Sequence, residues 1–347
     1  MSLEVTIRKQ AGSFRLQVSF TAKEEIFTIL GASGCGKSMT LKCIAGIETP
    51  DEGRIVLNGK VLFDSEKKIN LPPQKRNVGY MFQDYALFQN MTIEENIMAG
   101  MRQKKKEERR KKAASYIQTF HLDGLQGQYP HELSGGQKQR LAMARMMASE
   151  PDVILLDEPF AALDSYLKEK MVSEMRQELS ERQCPVLFVT HNRDEAFALS
   201  HRICAMDSGG IDCIQEKDDF FVSPKTVSAA VLSGCKNISP IRRVDEKHVL
   251  AENWNLLLET NADMQQAQCI GIRAHNLKPC EMQQENVLHC VSYRVEESLF
   301  EWNIYLSFEG AKEEFLWKKP RNFFEPEETP EVPEYFTVNR EHILWLK

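Results

Sequence analysis

The stretch Gly31-Ala32-Ser33-Gly34-Cys35-Gly36-Lys37-Ser38 limits what this chain can fold into more than any other. It fits the pattern G-x-x-x-x-G-K-[ST], which shapes a backbone loop around phosphate. Its flanks agree with that reading. Ile26-Phe27-Thr28-Ile29-Leu30 reads as a short buried strand, and Met39 to Ile47 reads as a helix with Leu41, Ile44 and Ala45 turned inward. A strand that breaks into a Gly-rich turn and reopens as a helix aims backbone N–H groups and the positive helix end at one spot. Gly34 and Gly36 let the backbone come close, Lys37 reaches the β- and γ-phosphates, and the Ser38 hydroxyl is placed to ligate Mg²⁺.

The 347 residues suffice for two domains of ordinary size. With 42% hydrophobic and 27% charged residues, the chain can bury a real core. No apolar run approaches the ~20 residues that span a bilayer, and the first residues read as a strand rather than a signal peptide. The expected location is therefore the cytoplasm, with any membrane business conducted through a partner. A net charge of −6 argues against general nucleic-acid binding. The 9 cysteines are scattered and form no C-x-x-C pair, which fits free thiols in a reducing compartment rather than disulfides or a zinc site.

Strands are predicted over Leu3–Ile7 and Phe14–Phe20 with a turn at Ala11-Gly12-Ser13, over Arg54–Leu57 ended by Asn58-Gly59, and over Asn77–Phe82 closed by Gln83. Residues 92–132 carry helical periodicity, opened by a capping box from Thr92 to Glu95. The basic run Arg102–Lys112 reads as a solvated helix face. Val153–Leu156 and Val186–Thr190 are continuous apolar runs, as in a parallel sheet buried on both faces, so the fold class is α/β. From about Ser233 helical periodicity nearly vanishes. Short runs at His248–Leu250, Asn255–Leu258, Cys269–Ile272, Val287–Arg294, Asn303–Phe308 and Phe336–Val338 predict a smaller, mainly β domain, with Glu325–Glu334 as a Pro-rich loop.

Further stretches carry chemistry. Val153–Leu156 runs into Asp157-Glu158. A carboxylate at the tip of a buried strand beside a phosphate loop can hold Mg²⁺, and the next can accept a proton from an attacking water. Leu133-Ser134-Gly135-Gly136-Gln137 opens a second helix with an anion-binding terminus. Gln83 is polar at the end of an apolar strand, and His191 directly follows Val186–Thr190.

The order GASGCGKS, Gln83, LSGGQ, VILLDEP and His191 resembles the ATP-binding subunit of an ABC transporter over roughly the first two-thirds of the chain. The resemblance implies a P-loop ABC core over 1–232 with an inserted helical subdomain at about 84–150. A β-rich accessory domain of TOBE or OB-like kind would then occupy 233–347. It implies ATP bound by Gly31 to Ser38, with Met39 where a second Ser or Thr is usual, and Mg²⁺ held by Ser38, Gln83 and Asp157. Glu158 would be the general base, His191 the switch to the γ-phosphate, and Gln83 the sensor of a membrane partner. Ser134, Gly135, Gly136 and Gln137 would reach ATP on the opposite subunit, and Asp164, in Ala162-Leu163-Asp164, would cross the dimer interface. The implied partners are a second copy, an integral permease and, indirectly, a substrate-binding protein, on the cytoplasmic face of the membrane and without nucleic acid. Ala11 stands where an adenine-stacking aromatic often comes, with Phe14 nearby.

Alternatives in repair or translation fit less well. Only about a hundred residues separate Lys37 from Ser134, with no long heptads, and the chain has one cassette. A non-hydrolysing regulator would have lost Glu158 or His191. For cargo, Arg54–Leu62, Asp64, Leu71-Pro72-Pro73, Lys75–Tyr80 and Phe82-Gln83-Asp84 resemble molybdate-transporter ATPases. Asn286-Val287-Leu288 resembles the centre of an oxyanion-binding segment, but Gln284 and Glu285 replace a small polar residue and an Arg, so weak oxyanion binding is expected there. Sulfate, iron(III) and polyamine importers remain the alternatives.

Overall fold

A computed structural model describes residues 1–101, 105–161, 163–245, 248–259, 266–281, 286–322 and 330–347. The chain divides into two units, Met1–Lys217 and Asp218–Lys347. The expected boundary at 232/233 coincides with the end of a short helix, Val227–Leu232, inside the second unit.

The first unit is built on one mixed sheet. Its elements in chain order are β1 (Leu3–Ala11), β2 (Phe14–Ala22), β3 (Ile26–Leu30), α1 (Lys37–Ala45), β4 (Glu52–Leu57), β5 (Lys60–Asp64), β6 (Ile69–Asn70), β7 (Val78–Met81), α2 (Ile93–Ala99), α3 (Lys106–Thr119), α4 (Gly135–Met147), β8 (Val153–Asp157), α5 (Ser165–Ser180), β9 (Val186–Thr190), α6 (Arg193–Leu199), β10 (Arg202–Asp207) and β11 (Gly210–Glu216). The strand order is β6-β5-β4-β1-β2-β11-β10-β3-β9-β8-β7. One half, β10-β3-β9-β8-β7, is parallel. In the other half β6, β5, β4, β1 and β2 pair antiparallel, β1 with β2 from Leu3↔Ala22 to Ala11↔Phe14, and β11 joins the halves, parallel to β2 and antiparallel to β10.

The apolar runs read from sequence explain the parallel half. β3, β8 and β9 are buried at every residue because both faces of the sheet are covered. Alternation sorts their side chains: Val153 and Leu155 pack with α1, while Ile154 and Leu156 pack with the helices inserted after β7. That insertion, α2 to α4, falls between β7 and β8 as expected. The Thr92–Glu95 capping box forms at the start of α2. Of the basic run, residues 102–104 lie outside the described residues. The rest opens α3, which buries only Ala113 and Ile117 and presents Lys105, Arg110 and Lys111 in exposed ion pairs, as a solvated face does.

The second unit begins with short helices and continues as two five-stranded sheets whose pairings are all antiparallel. The fold class is thus an α/β core with a mixed sheet followed by an all-antiparallel β unit. The predicted runs appear as strands, Cys269–Ile272 with unchanged bounds. Strands Asn237–Arg243, Leu277–Pro279, Phe315–Pro320 and Ile343–Leu346 were not foreseen. Asn237–Arg243 hides behind Pro240, which demotes a run in a sequence reading, yet it pairs with Cys269. Trp254, Phe308, Phe315, Trp317 and Phe336 fill the core with edge-on ring contacts, Trp254 to Phe315 at 5.0 Å. Of the loop expected at Glu325–Glu334, residues 325–329 lie outside the described residues, as do Gln284 and Glu285. Residues 330–333 carry no helix or strand. Asn286 holds positive φ and its Nδ2 donates to Val338 O at 3.4 Å.

Candidate nucleotide site

The phosphate-loop pattern folds as its chemistry requires. β3 ends at Leu30 and α1 starts at Lys37, with Gly36 as N-cap at φ 105°, a conformation open to glycine. Gly31 is required for a different reason. A Cβ there would stand 2.3 Å from Met206 O and 2.7 Å from Cys35 Sγ. Lys37 is 4% exposed, and its Nζ donates to the carbonyls of Gly31 at 2.9 Å and Ala32 at 2.8 Å. An ammonium has three donors, so this lysine curls over the loop with capacity for a further acceptor. Cys35 is buried, and burial pushes its thiol pKa up, so it is inert filling rather than a nucleophile. Met39 is half-buried against the core, and Thr40 turns its hydroxyl back to Gly36 O at 3.0 Å. Phe14 lies against the loop, its Cζ 3.0 Å from where a Gly36 Cβ would be, while Ala11 is exposed.

The strand tips bring the carboxylates to this loop. Asp157 ends β8 and accepts from Ser38 Oγ at 2.7 Å. Glu158 follows at φ 45°, its N–H donating to Val189 O at 3.0 Å, so the chain turns sharply where β8 and β9 end together. That turn sets the Glu158 carboxylate between two partners. Lys37 Nζ stands 4.0 Å from Oε1, and His191 Nδ1 lies 3.1 Å from Oε2. The residues flanking His191 are anchored: Thr190 donates to Glu195 at 2.5 Å, Lys168 pairs with Glu195 at 3.0 Å, and Asn192 Oδ1 caps α6. Ser38, Asp157, Gln83, Phe82, Asp84, Lys42 and Ala161 line one open cleft of about 590 Å³.

Ser134 caps α4 in a reciprocal box with Gln137, 2.9 Å from Ser134 N to Gln137 Oε1, leaving Gly135 and Gly136 at the helix start with unpaired N–H groups. Asp164 caps α5 through Leu167 N at 3.0 Å; Ala162 lies outside the described residues. The structure gives neither cap a hydrogen bond to Lys37, Ser38, Asp157 or Glu158. Lys37, Ser38, Gln83, Asp157, Glu158 and His191 are therefore one constellation, and Ser134–Gln137 and Asp164 are separate helix ends.

Two residues had no role assigned from the sequence, Tyr80 at this site and Arg76 at the opposite end of α1. The Tyr80 hydroxyl donates to Asp157 Oδ2 at 2.8 Å, and burial with the neighbouring carboxylate drives its pKa far up. Arg76, 1% exposed, grips the far end of α1 through the carbonyls of Cys43 and Ile44, both at 2.8 Å. A strand alternating toward Gln83 was the available signal for Tyr80, but not its neighbour.

The donor set fits a magnesium nucleotide. A buried ammonium on a glycine loop suits polyphosphate, and a hydroxyl with a carboxylate supplies the few hard oxygens that Mg²⁺ takes from protein when phosphates complete its shell. Among the described residues no helix is long and apolar enough to cross a membrane.

Comparison with known proteins agrees. The ABC transporter family model matches residues 16–161. The spermidine/putrescine import ATP-binding protein PotA of Nitrosospira multiformis is 43% identical over 58% of this chain and 54% of its own length. The molybdenum import ATP-binding protein ModC of Aliivibrio fischeri is 37% identical over 64% and 60%. The chain thus spans little more than half of these two relatives. The sulfate/thiosulfate import ATP-binding protein CysA of Mannheimia succiniciproducens is 38% identical over 69% of this chain and 68% of its own. A dimeric bacterial ABC transporter cassette aligns with TM-score 0.53 and 28% identity over 62% of this chain and 99% of its own, as does the same cassette in a post-hydrolysis state with ADP and phosphate. With the phosphate loop, the strand-tip carboxylates and these relatives in agreement, the chain belongs to the ABC transporter family as one of its ATP-binding cassettes.

Proposed function

We propose that this protein hydrolyses ATP to drive a separate membrane permease that imports a small solute. The observation that carries the reading is the placement of Glu158 between the Lys37 ammonium and His191. Lys37 and the loop N–H groups hold the phosphates. Glu158 accepts a proton from water as the water oxygen bonds the γ-phosphorus and the bond to ADP breaks. His191 bonds the γ-phosphate and orients Glu158. Ser38, Asp157 and, across the cleft, Gln83 would hold Mg²⁺, whose charge offsets that of the phosphates.

The working form in this reading is a head-to-tail homodimer. Ser134, Gly135 and Gly136 are helix-end donors with no phosphate loop bonded to them in their own subunit, so a second copy supplies their nucleotide, with Asp164 at the seam. ATP closes the dimer and hydrolysis reopens it, the two-state element that coupling to a permease at the cytoplasmic membrane face requires. Glu158→Gln tests this. ATP hydrolysis is expected to fall about 10²–10⁴-fold, while ATP binding persists and a dimer accumulates on gel filtration. Near wild-type hydrolysis overturns the assignment.

For cargo we propose molybdate or tungstate, on the strength of the segments from Arg54 to Asp84. The relatives carry polyamine, molybdenum and sulfate names at 43%, 37% and 38% identity, so the shared core does not divide these classes. Calorimetry on the cognate solute-binding protein decides it. Tight molybdate binding supports the reading; tight sulfate or spermidine binding without molybdate overturns it and leaves the ATPase reading intact.

A further inference from the structure

The Asp157 carboxylate has two oxygens, and each has its own donor. Ser38 Oγ serves Oδ1 at 2.7 Å and the Tyr80 hydroxyl serves Oδ2 at 2.8 Å. Ser38 belongs to the phosphate-loop pattern. Tyr80 belongs to none of the nucleotide-binding motifs described above, only to the Lys75–Tyr80 segment that resembles molybdate-transporter ATPases. We propose that Tyr80 is a positioning residue that fixes the Asp157 carboxylate in the orientation needed to hold a divalent cation beside the nucleotide. The proposal rests on the reading of Asp157 as the metal-side carboxylate.

The backbone explains how the two meet. β7 and β8 run parallel with Tyr80 opposite Leu155. Side chains two apart share a face, so Leu155 and Asp157 point to the side on which Tyr80 lies. Tyr80 and Leu155 indeed pack in the same core cluster, with Met81 and Leu156 in the other. Two residues of strand span about 6–7 Å, which is the reach of a tyrosine side chain laid along the sheet. The ring is wedged by Phe82, whose centroid is 4.3 Å away, so the hydroxyl has little freedom.

The chemistry gives the bond a purpose. A carboxylate turns through a broad, roughly two-fold torsion. One donor on Oδ1 leaves that rotation available. A second donor on Oδ2, fixed to a neighbouring strand, stops it. Ser38 donates its single proton to Asp157 and keeps oxygen lone pairs for a cation. Holding the far oxygen keeps both Ser38 and Asp157 aimed at one point. Gln83, across the same cleft, follows β7 by two residues. One strand end thus carries a cleft-lining amide and the hydroxyl that sets the metal-side carboxylate. Partners of this kind outside the ligand set typically matter 10–100-fold in metal affinity.

The test uses the full chain with Tyr80→Phe, which removes one oxygen and keeps the ring. Binding of a fluorescent ATP analogue is measured in EDTA and then against added MgCl₂, with Asp157→Asn in parallel. The expected result is metal-free affinity within about twofold of wild type and a Mg²⁺ midpoint raised about tenfold. A wild-type midpoint in Tyr80→Phe, with a raised one in Asp157→Asn, overturns the role of Tyr80 and leaves Asp157 intact. Wild-type midpoints in both variants overturn the metal-side reading and this proposal with it. A metal-free affinity that falls as far as the Mg²⁺-bound one makes Tyr80 a packing residue and overturns the proposal.

Discussion

Within Met1–Lys217 the side chains of Lys37, Asp64, Arg76, Asp157 and Glu195 are buried, whereas within Asp218–Lys347 no charged side chain among the described residues is. The second unit keeps its charges outside. His289 touches Glu309 and Glu334 at 3.2 Å each, and Arg294 touches Glu314 at 3.0 Å, all near the surface. Its interior is aromatic and aliphatic instead. Taking a charge out of water costs several kcal/mol after relaxation, so a chain buries one only where built partners compensate. In the first unit those partners are backbone carbonyls for Lys37 and Arg76, hydroxyls for Asp157 and Glu195, and a backbone N–H with Arg54 for Asp64. Lys37 and Asp157 stand at the candidate nucleotide site, Arg76 at the far end of its helix and Glu195 at the strand end that carries His191, while Asp64 lies apart at the end of β5 with Lys67 N and Arg54.

Arg76 is where that comparison breaks most easily. It donates to Leu71 O at 2.7 Å and to Asn70 Oδ1, Cys43 O and Ile44 O at 2.8 Å. Two of these acceptors are among the final carbonyls of α1, which helix geometry leaves without an intrahelical partner; Cys43 O also accepts from Gly46 N at 3.2 Å, so Ile44 O, Leu71 O and Asn70 Oδ1 are the acceptors that most depend on Arg76. Burial lowers the arginine pKa and pushes the Cys43 thiol up to about 12, which marks how dry the place is. Arg76→Met should cost about 3–5 kcal/mol of unfolding free energy in denaturant, since each orphaned buried acceptor costs about 1–3 kcal/mol. A loss below about 1 kcal/mol would mean that buried charge here is dispensable and that the two units do not differ in kind.

His289 gives the smaller effect and sharpens the other side. Both ring nitrogens face carboxylates, Glu309 first and Glu334 second, which raises its pKa above the ordinary 6.5. A raised folded-state pKa contributes stability that is fully present below about 6.5 and is lost as pH rises through the folded value. His289→Gln should therefore shift the melting temperature at pH 5.5 and leave it unchanged at pH 9. The ring resonances of His289 in NMR should titrate above the range of a free imidazole. An equal shift at both pH values would make the residue a packing element rather than a surface ion pair.

The sequence was legible wherever chemistry or burial is written into consecutive residues. The glycines, Lys37 and Ser38 in order specify a loop because only that spacing frees N–H groups toward one point. Val153–Leu156 and Val186–Thr190 announce buried parallel strands because no residue in them suits water. Thr92 and Glu95 announce a helix start because their side chains satisfy the first turn. Asn237 was not legible. Its Nδ2 donates to Ile272 O and Leu316 O, and its Oδ1 accepts from Leu316 N, so its strand is fixed by residues far along the chain. Phe315–Pro320 and Ile343–Leu346 are likewise strands because of what they pair with, a property no local window contains.

The site divides in the same way. The sequence by itself determined which residues could serve: a phosphate loop, two successive carboxylates, a glutamine and a histidine, each at a strand end. Only the tertiary structure decided which of them meet. β7 and β8 are separated in the chain by the whole of α2 to α4, yet lie side by side. β9 brings His191 to Glu158 only because β8 and β9 end in register, Asp157 opposite Val189. Periodicity and loop chemistry are local and survive in a string of letters. The order of strands in a sheet is settled by burying both of its faces at once, and that is a property of the whole first unit.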